Sequence, residues 1–423
     1  MNRLGPEAGR RFDRTDAAWA GIDYTYVWLG LDLPPIAELR RALVTVMDLD
    51  PLIGARLDLP RCRYHPVAPA DRAARAEELV TDALPDGLRP ETALNQFELD
   101  LGSRPFLLFV GERDLVVRFA HAFGDAWSCN TLIKHLLAQA RTDERLPLPW
   151  DTLAPVRRDV FALRWVLQRP RALLAALRHR GELSGGTYEL ASLRTLQEPL
   201  DHVATTSPAG FVQHLSAERK RRGFETSTAA IMLTGIRRHL TARGLPPLPG
   251  AEMLFDTRGG SKVTARAFGN WAAGVYVNPT DDDDLQAVGA EFRRVRDAGF
   301  PFLAAAAARR RAGLQSRGDK LVLAPLGRPR LTLTHLNRGG PQLGMPWLAD
   351  NADHHVLSGC APNGLETILI GGREMEDGRL GLSLSFHPAG WPSDVIRSVV
   401  EAFMDDPFGD SLGQGSASSE AIA

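Results

Sequence analysis

Cysteine is scarce. Cys62, Cys129 and Cys360 are the only thiols in 423 residues, scattered and odd in number. That excludes a disulfide framework and any CxxC zinc or redox motif. Long apolar runs are missing as well. The longest blocks, near 229–233 and 301–308, fall far short of the ~18 residues a membrane span needs. Neither sign of charge dominates: 50 Lys and Arg face 51 Asp and Glu, for a net charge of −1. A dedicated nucleic-acid binder would show a strongly basic domain. The first residues, MNRLGPEAGRRFDRTD, lack the apolar core of a secretory signal. A reducing cytoplasm is therefore the expected compartment, and a monomer the expected state.

Several catalytic motifs are also absent. There is no GxSxG elbow, no GxxxxGK[ST], no HExxH and no GxGxxG after a strand. This argues against an α/β-hydrolase, a P-loop NTPase, a zinc peptidase and a dinucleotide enzyme. No metal site is expected.

What is present is an ordinary folded composition, 44% hydrophobic and 24% charged, in a chain long enough for roughly two to three domains by the ~150-residue prior. Residues 22–33 (IDYTYVWLGLDL) read as a strand. Ile36, Leu39, Leu43 and Val46 are at helical spacing. Residues 52–59 return to strand, and 70–83 form a charged helix. Two strand-like runs, 105–110 and 114–121, flank Gly111-Glu112-Arg113 as a hairpin. Residues 127–139 read as a helix, and 157–180 as an Arg-rich helix. Residues 181–186 (GELSGG) are the best linker, which divides the chain into a lobe over 1–180, a second over 187–406 and a disordered tail over 407–423.

In the second part, 210–216 reads as a strand. The next stretch forms helices broken near Gly223, with Thr226 or Ser227 as cap. Residues 251–258, 272–278, 331–336, 366–374 and 380–387 read as strands. Asp281–Asp284 opens a helix, where acids suit the dipole, and 393–404 is the last helix. Hairpins among the helices imply antiparallel pairing and a mixed α/β fold.

One constellation carries chemistry. Of eleven histidines, only His121 has an aspartate, Asp125, four residues on. A chain like this would show such a pair about once by chance, so its context has to carry the weight. His121 follows the second hairpin strand, Gly124 lies in the turn, and a helix follows. The plain reading is a strand-end histidine beside a helix-capping aspartate. The functional reading is a neutral imidazole that takes a proton near neutral pH, on a loop held by a carboxylate paired to an arginine from elsewhere. Arg258, at the end of its strand in the other half, is the best candidate partner.

The run 95–139, with HAFGD inside it, resembles the core of the chloramphenicol acetyltransferase-like superfamily. That group includes nonribosomal-peptide condensation domains, alcohol acetyltransferases, wax-ester-type synthases and polyketide-associated acyltransferases. Residues 39–57, 220–240, 256–278 and 380–404 resemble further family segments, in family order. The resemblance implies two lobes, each a mixed, largely antiparallel sheet flanked by helices, with a channel between them. It implies His121 as general base, Asp125 as structural and Arg258 as its partner. It places Gly269 and Asn270 near the channel, and, more loosely, a polar turn at Asn337.

The resemblance has departures. Condensation domains carry HHxxxDG, whereas here Ala120 precedes His121 and Ala126 follows Asp125. A single histidine suits ester-forming branches better. There is no DFGWG of the plant-type branch.

The expected activity is transfer of an acyl group from a thioester to a hydroxyl, or an amine, of a small-molecule acceptor in secondary metabolism. Acyl-coenzyme A or a phosphopantetheinyl carrier protein would be the donor substrate, with no bound cofactor. Oxyanion-donor candidates are Trp127, Ser128, Asn270 and Asn337. Cys129 as a nucleophile is an alternative to a buried helix thiol. Two basic clusters, 157–180 and Arg309 to Lys320, read as solvated faces or as attraction for phosphate. The rivals are a freestanding amide-forming condensation enzyme, a non-catalytic carrier-docking module and a cyclising enzyme.

Overall fold

Aromatic and β-branched residues crowd 23–29. In the computed structural model of the chain they form the strand Asp23–Leu29, buried from its second residue on. The described residues run from 9 to 413, with main gaps at 152–163, 175–189, 193–199, 259–264, 306–320 and 338–343 and shorter ones elsewhere. The expected linker 181–186, nearly all of the Arg-rich helix 157–180, the cluster from Arg309 to Lys320 and residues 414–423 of the expected tail lie outside the described residues. Residues 407–413, expected in that disordered tail, are ordered instead, with Phe408 buried in the second core and Asp410–Gly413 a short helix.

The first sheet has the order His355–Cys360, Asp23–Leu29, Asp114–Ala120, Phe106–Val110 and Val80–Thr81, with one parallel pairing, the last. The second has the order Ala272–Val277, Ala251–Asp256, Arg330–Leu336, Thr367–Glu374, Leu380–Phe386 and Asp201–Thr206. Its two middle pairings, on either side of Arg330–Leu336, are parallel and the others antiparallel. Each sheet has its own apolar core: Ile36–Leu49 and Ala126–Ala140 bury residues in the first, Thr228–Ala242 and Ser393–Asp405 in the second. The fold is thus mixed α/β, with two largely antiparallel sheets and flanking helices.

The ends of the helices follow local chemistry. Asp125, Ser227 and Asp284 each cap a helix by accepting a backbone N–H, from Ser128, Ala230 and Gln286. Two further readings are corrected. The helix read over 70–83 ends at Leu79, and Val80–Thr81 is the edge strand of the first sheet. Residues 210–216, read as a strand, belong to the helix Phe211–Arg221. Its apolar residues Val212 and Leu215 are the buried ones, three apart, and Gly210 and Gly223, both with positive φ, bracket it.

The lobes meet through small residues. His355–Cys360 comes from the second half of the chain, pairs with Asp23–Leu29, and lies against the second sheet. In Leu380–Phe386 the residues Leu380, Leu382, Leu384 and Phe386 fill the second core. Gly381 and Ser383 face the crossing strand instead. Ser383 Oγ donates to Ser358 O, and a Cβ on Gly381 would stand 2.0 Å from Val356 O. A backbone carbonyl cannot yield as a flexible side chain can. Gly381→Ala is therefore expected to destabilise the chain by about 1–3 kcal/mol, read as a lowered midpoint in thermal or urea unfolding.

Candidate active site

His121 leaves the strand Asp114–Ala120 as the chain turns toward the helix Ala126–Ala140. Its N–H donates to Ile22 O (2.8 Å), and Tyr64 Oη donates to the next carbonyl, Ala122 O (2.8 Å). Gly124 is required here, because a Cβ would stand 2.8 Å from Ser128 Cβ. Tyr24 Oη donates to Gly124 O (3.2 Å). The loop is thus pinned from three sides, and the imidazole, 7% exposed, projects from a rigid base.

Three residues hold the ring, and Tyr24 meets it edge-on with centroids 5.0 Å apart. Trp19 stacks on it, with centroids 4.0 Å apart and planes 18° from parallel. Asn270 comes from the other lobe. Its amide NH2 donates to His121 O (3.0 Å) and lies 2.8 Å from Nδ1, while its Oδ1 accepts from Ala272 N (3.0 Å). Those two backbone groups fix which end of the amide faces the ring. Nδ1 is therefore the acceptor in the neutral ring, and Nε2 carries the proton.

Asp125 and Arg258 lie behind this loop. Arg258 Nη1 and Nη2 donate to the two carboxylate oxygens at 2.7 and 2.8 Å. The guanidinium also donates to Ala267 O, Gly269 O and Ser128 Oγ. Asp125 accepts in addition from Trp271 N (2.8 Å) and Ser128 N (3.1 Å). Burial alone would push this carboxyl up; the Arg258 charge and the donors around it more than offset that and hold it below the ordinary range. The pair joins residues 133 apart in sequence and ties the helix cap of one lobe to a strand end of the other.

A narrow cavity of about 60 Å³ lies between the lobes, and His121 is on its wall. Trp19, Ile22 and Tyr24 come from the first lobe, Leu254, Thr332 and Thr334 from the second, and Ser358 to Ala361 from the crossing strand. The oxyanion candidates fare differently. None of Trp127, Ser128, Asn270 and Asn337 is on this wall. Ser128 Oγ donates to Gly269 O and accepts from Gly269 N and Arg258, so its bonding capacity is used. Asn270 is committed to His121 and Ala272, which makes it a ring-holding residue instead of an oxyanion donor. Trp127 lies under the Arg258 guanidinium, 4.6 Å away. Asn337 is exposed beyond the end of Arg330–Leu336. Cys129 is fully buried, and burial pushes its thiol well above its ordinary pKa, the opposite of an activated nucleophile.

Sequence reasoning missed Trp19, the cavity hydroxyls and Arg373, which also lines the cavity. A lone tryptophan at the edge of a polar segment was the available signal for the first. An arginine at the channel-facing parity of an apolar strand was the signal for the last. Among the described residues, no group of three or more His, Cys, Asp or Glu could hold a metal ion, and no helix is long and apolar enough to cross a membrane.

No protein-family profile and no curated protein sequence matches the chain. Solved structures do. The trichothecene 15-O-acetyltransferase TRI3 from Fusarium sporotrichioides superposes with a TM-score of 0.59 at 11% identity, covering 94% of each chain. The nonribosomal peptide synthetase condensation enzyme VibH gives 0.56 at 15%, covering 94% of this chain and 92% of that one. The nonribosomal peptide synthetase FmoA3 gives 0.60 at 17%, and there this chain, covered over 96% of its length, spans 45% of the longer protein. Identities this low speak for the fold alone. With its two sheets and the cavity between them, the chain has the two-lobed, chloramphenicol acetyltransferase-like fold of condensation domains and acyltransferases.

Proposed function

We propose that the chain is an acyltransferase, moving an acyl group from a thioester to the hydroxyl, or the amine, of a small molecule in secondary metabolism. The observation that carries this reading is a histidine held from both lobes on the wall of a cavity between them. The donor is the thioester of coenzyme A or of a carrier protein's phosphopantetheine. The neighbouring structures, an O-acetyltransferase and peptide synthetases, support both the chemistry and the setting.

His121 takes the acceptor's proton as its oxygen attacks the thioester carbonyl. The carbon–sulfur bond then breaks, and the thiolate leaves as thiol with that proton. The base acts through Nε2, which requires the ring tautomer with its proton on Nδ1. That exchange gives up the Asn270 hydrogen bond and turns two N–H donors toward each other, so the amide must shift, at a cost of about 1–3 kcal/mol, or on the order of tenfold to a hundredfold in population. General-base catalysis returns about 10²–10⁴-fold, and an acceptor O–H donating to Nε2 itself favours the working tautomer. Thr334 and Ser358 are cavity-wall hydroxyls that can donate to the developing oxyanion, and Asp125 with Arg258 keeps the loop in place.

The test is product detection by mass spectrometry. Acyl-coenzyme A thioesters, from acetyl to long-chain, and acyl-loaded carrier proteins are each offered with mixed alcohols and amines. The reading expects an ester or amide that forms only with acceptor present. Amide from carrier-bound donor alone would mark a freestanding condensation enzyme. Absence of acceptor-dependent product from every donor would overturn acyl transfer.

A further inference from the structure

Four arginines are buried among the described residues: Arg75, Arg237, Arg258 and Arg373. Three of them have a carboxylate. Arg75 meets Glu78 at 2.7 Å, Arg237 meets Asp282 at 3.5 Å, and Arg258 meets Asp125 at 2.7 Å. Arg373 has none. It is 4% exposed, on the strand Thr367–Glu374. Nη1 donates to Gly372 O (2.7 Å), Nε has no hydrogen-bond partner, and the guanidinium lies over the Tyr26 ring, 5.2 Å from its centre. The acids on this sheet are engaged elsewhere: Glu374 faces His335 (3.1 Å), Asp256 meets Arg258 (3.2 Å), Asp201 accepts from Asn95 (2.8 Å), and Glu252, raised by burial, has Arg330 as its counter-charge.

A buried cation without an anion is costly, and proteins pair such charges. This one lines the His121 cavity. Two wall hydroxyls are also buried there, Tyr26 Oη beside Asn130 and Arg373, and Thr332 Oγ1 beside Glu252. One guanidinium flanked by hydroxyl donors is suited to a carboxylate, which it binds with charge-assisted bonds. The rest of the wall sets apolar Ile22, Leu254 and Leu369 beside the hydroxyls of Thr334 and Ser358.

The geometry points to Arg373 as the binding residue for a carboxylate on a substrate in the His121 cavity. The substrate is a small apolar molecule with one acid group. Resting on the acyl-transfer reading, the inference places that carboxylate either on the acceptor, as a hydroxy or amino acid, or on the acyl donor, as the thioester of a dicarboxylic acid. Arg373 then supplies the counter-charge that fixes which end of the substrate faces His121.

Calorimetry on the full chain tests this without turnover. The acceptor arm compares 2-hydroxyisocaproate with its methyl ester. The donor arm compares succinyl-coenzyme A with butanoyl-coenzyme A. The expected result is a preference for the acid of about tenfold or more in one arm, which also says which substrate carries it. Arg373→Gln should abolish that preference, and Tyr26→Phe should weaken it. Equal binding of acid and neutral partner in both arms, no binding in either, or a preference that survives in folded Arg373→Gln would overturn the inference. The wild-type comparison stands even where the variant fails to fold. Acid binding in a protein that transfers no acyl group would sink the acyl-transfer reading and leave the carboxylate site intact.

Discussion

Arg258→Met is expected to cost about 3–5 kcal/mol of stability, because it leaves a buried carboxylate with no counter-charge. Asp125 keeps two backbone donors, from Trp271 and Ser128, but loses the bidentate pair that ties the lobes. Removing both charges together, as Asp125→Asn with Arg258→Met, should cost less than the two single changes summed. The pH dependence should change sign. In the wild type the Asp125 carboxyl lies below its ordinary range. Its contribution is therefore present above the unfolded pKa of about 3.9 and is lost as pH falls through the lower folded value. In Arg258→Met only burial and the weaker donors act, so the folded value rises above the unfolded one. Stability relative to wild type should then fall as pH rises from about 4 to 7. Urea unfolding at pH 4.5 and pH 7.5 reads both effects. A variant as stable as wild type at both would refute the bridge.

His121→Ala carries the largest expected loss of activity, about 10²–10⁴-fold in kcat, with a much smaller loss of stability, about 1–2 kcal/mol. The ring stacks on Trp19, meets Tyr24 edge-on and contacts the Asn270 side chain. The loop itself is held by backbone and tyrosine bonds that the change leaves alone. Activity and stability therefore separate at His121, while at Arg258 they fall together.

Much of this architecture was readable in the sequence because local patterns set it. The hairpin around Gly111-Glu112-Arg113, the helix after Asp125 and the alternation in LGLSLSF each encode one face to bury, and each forms where its pattern predicts. Arg258 could be named because its strand ends in the lobe opposite His121. The strands that went unread include two in the main sheets. His355–Cys360 (HVLSGC) has small residues at 358 and 359, so it carries little strand signal, and the reason for them is the close approach of the second sheet. Asp201–Thr206 is short, with polar ends. Phe211–Arg221 read as a strand because its first residues alternate, whereas the buried pair Val212 and Leu215 follows the helical period. The oxyanion candidates were chosen by nearness in sequence to His121 or to a family motif. The cavity wall is assembled instead from strands of both sheets, and no spacing rule links Trp19, Thr332 and Arg373.

The most direct measurement of the central claim is thiol release from the thioester donors, with and without acceptor, by wild type and by His121→Ala of matched circular dichroism. The account predicts acceptor-dependent release by wild type and a loss of about 10²-fold or more in the variant. Release by His121→Ala at the wild-type rate would contradict it.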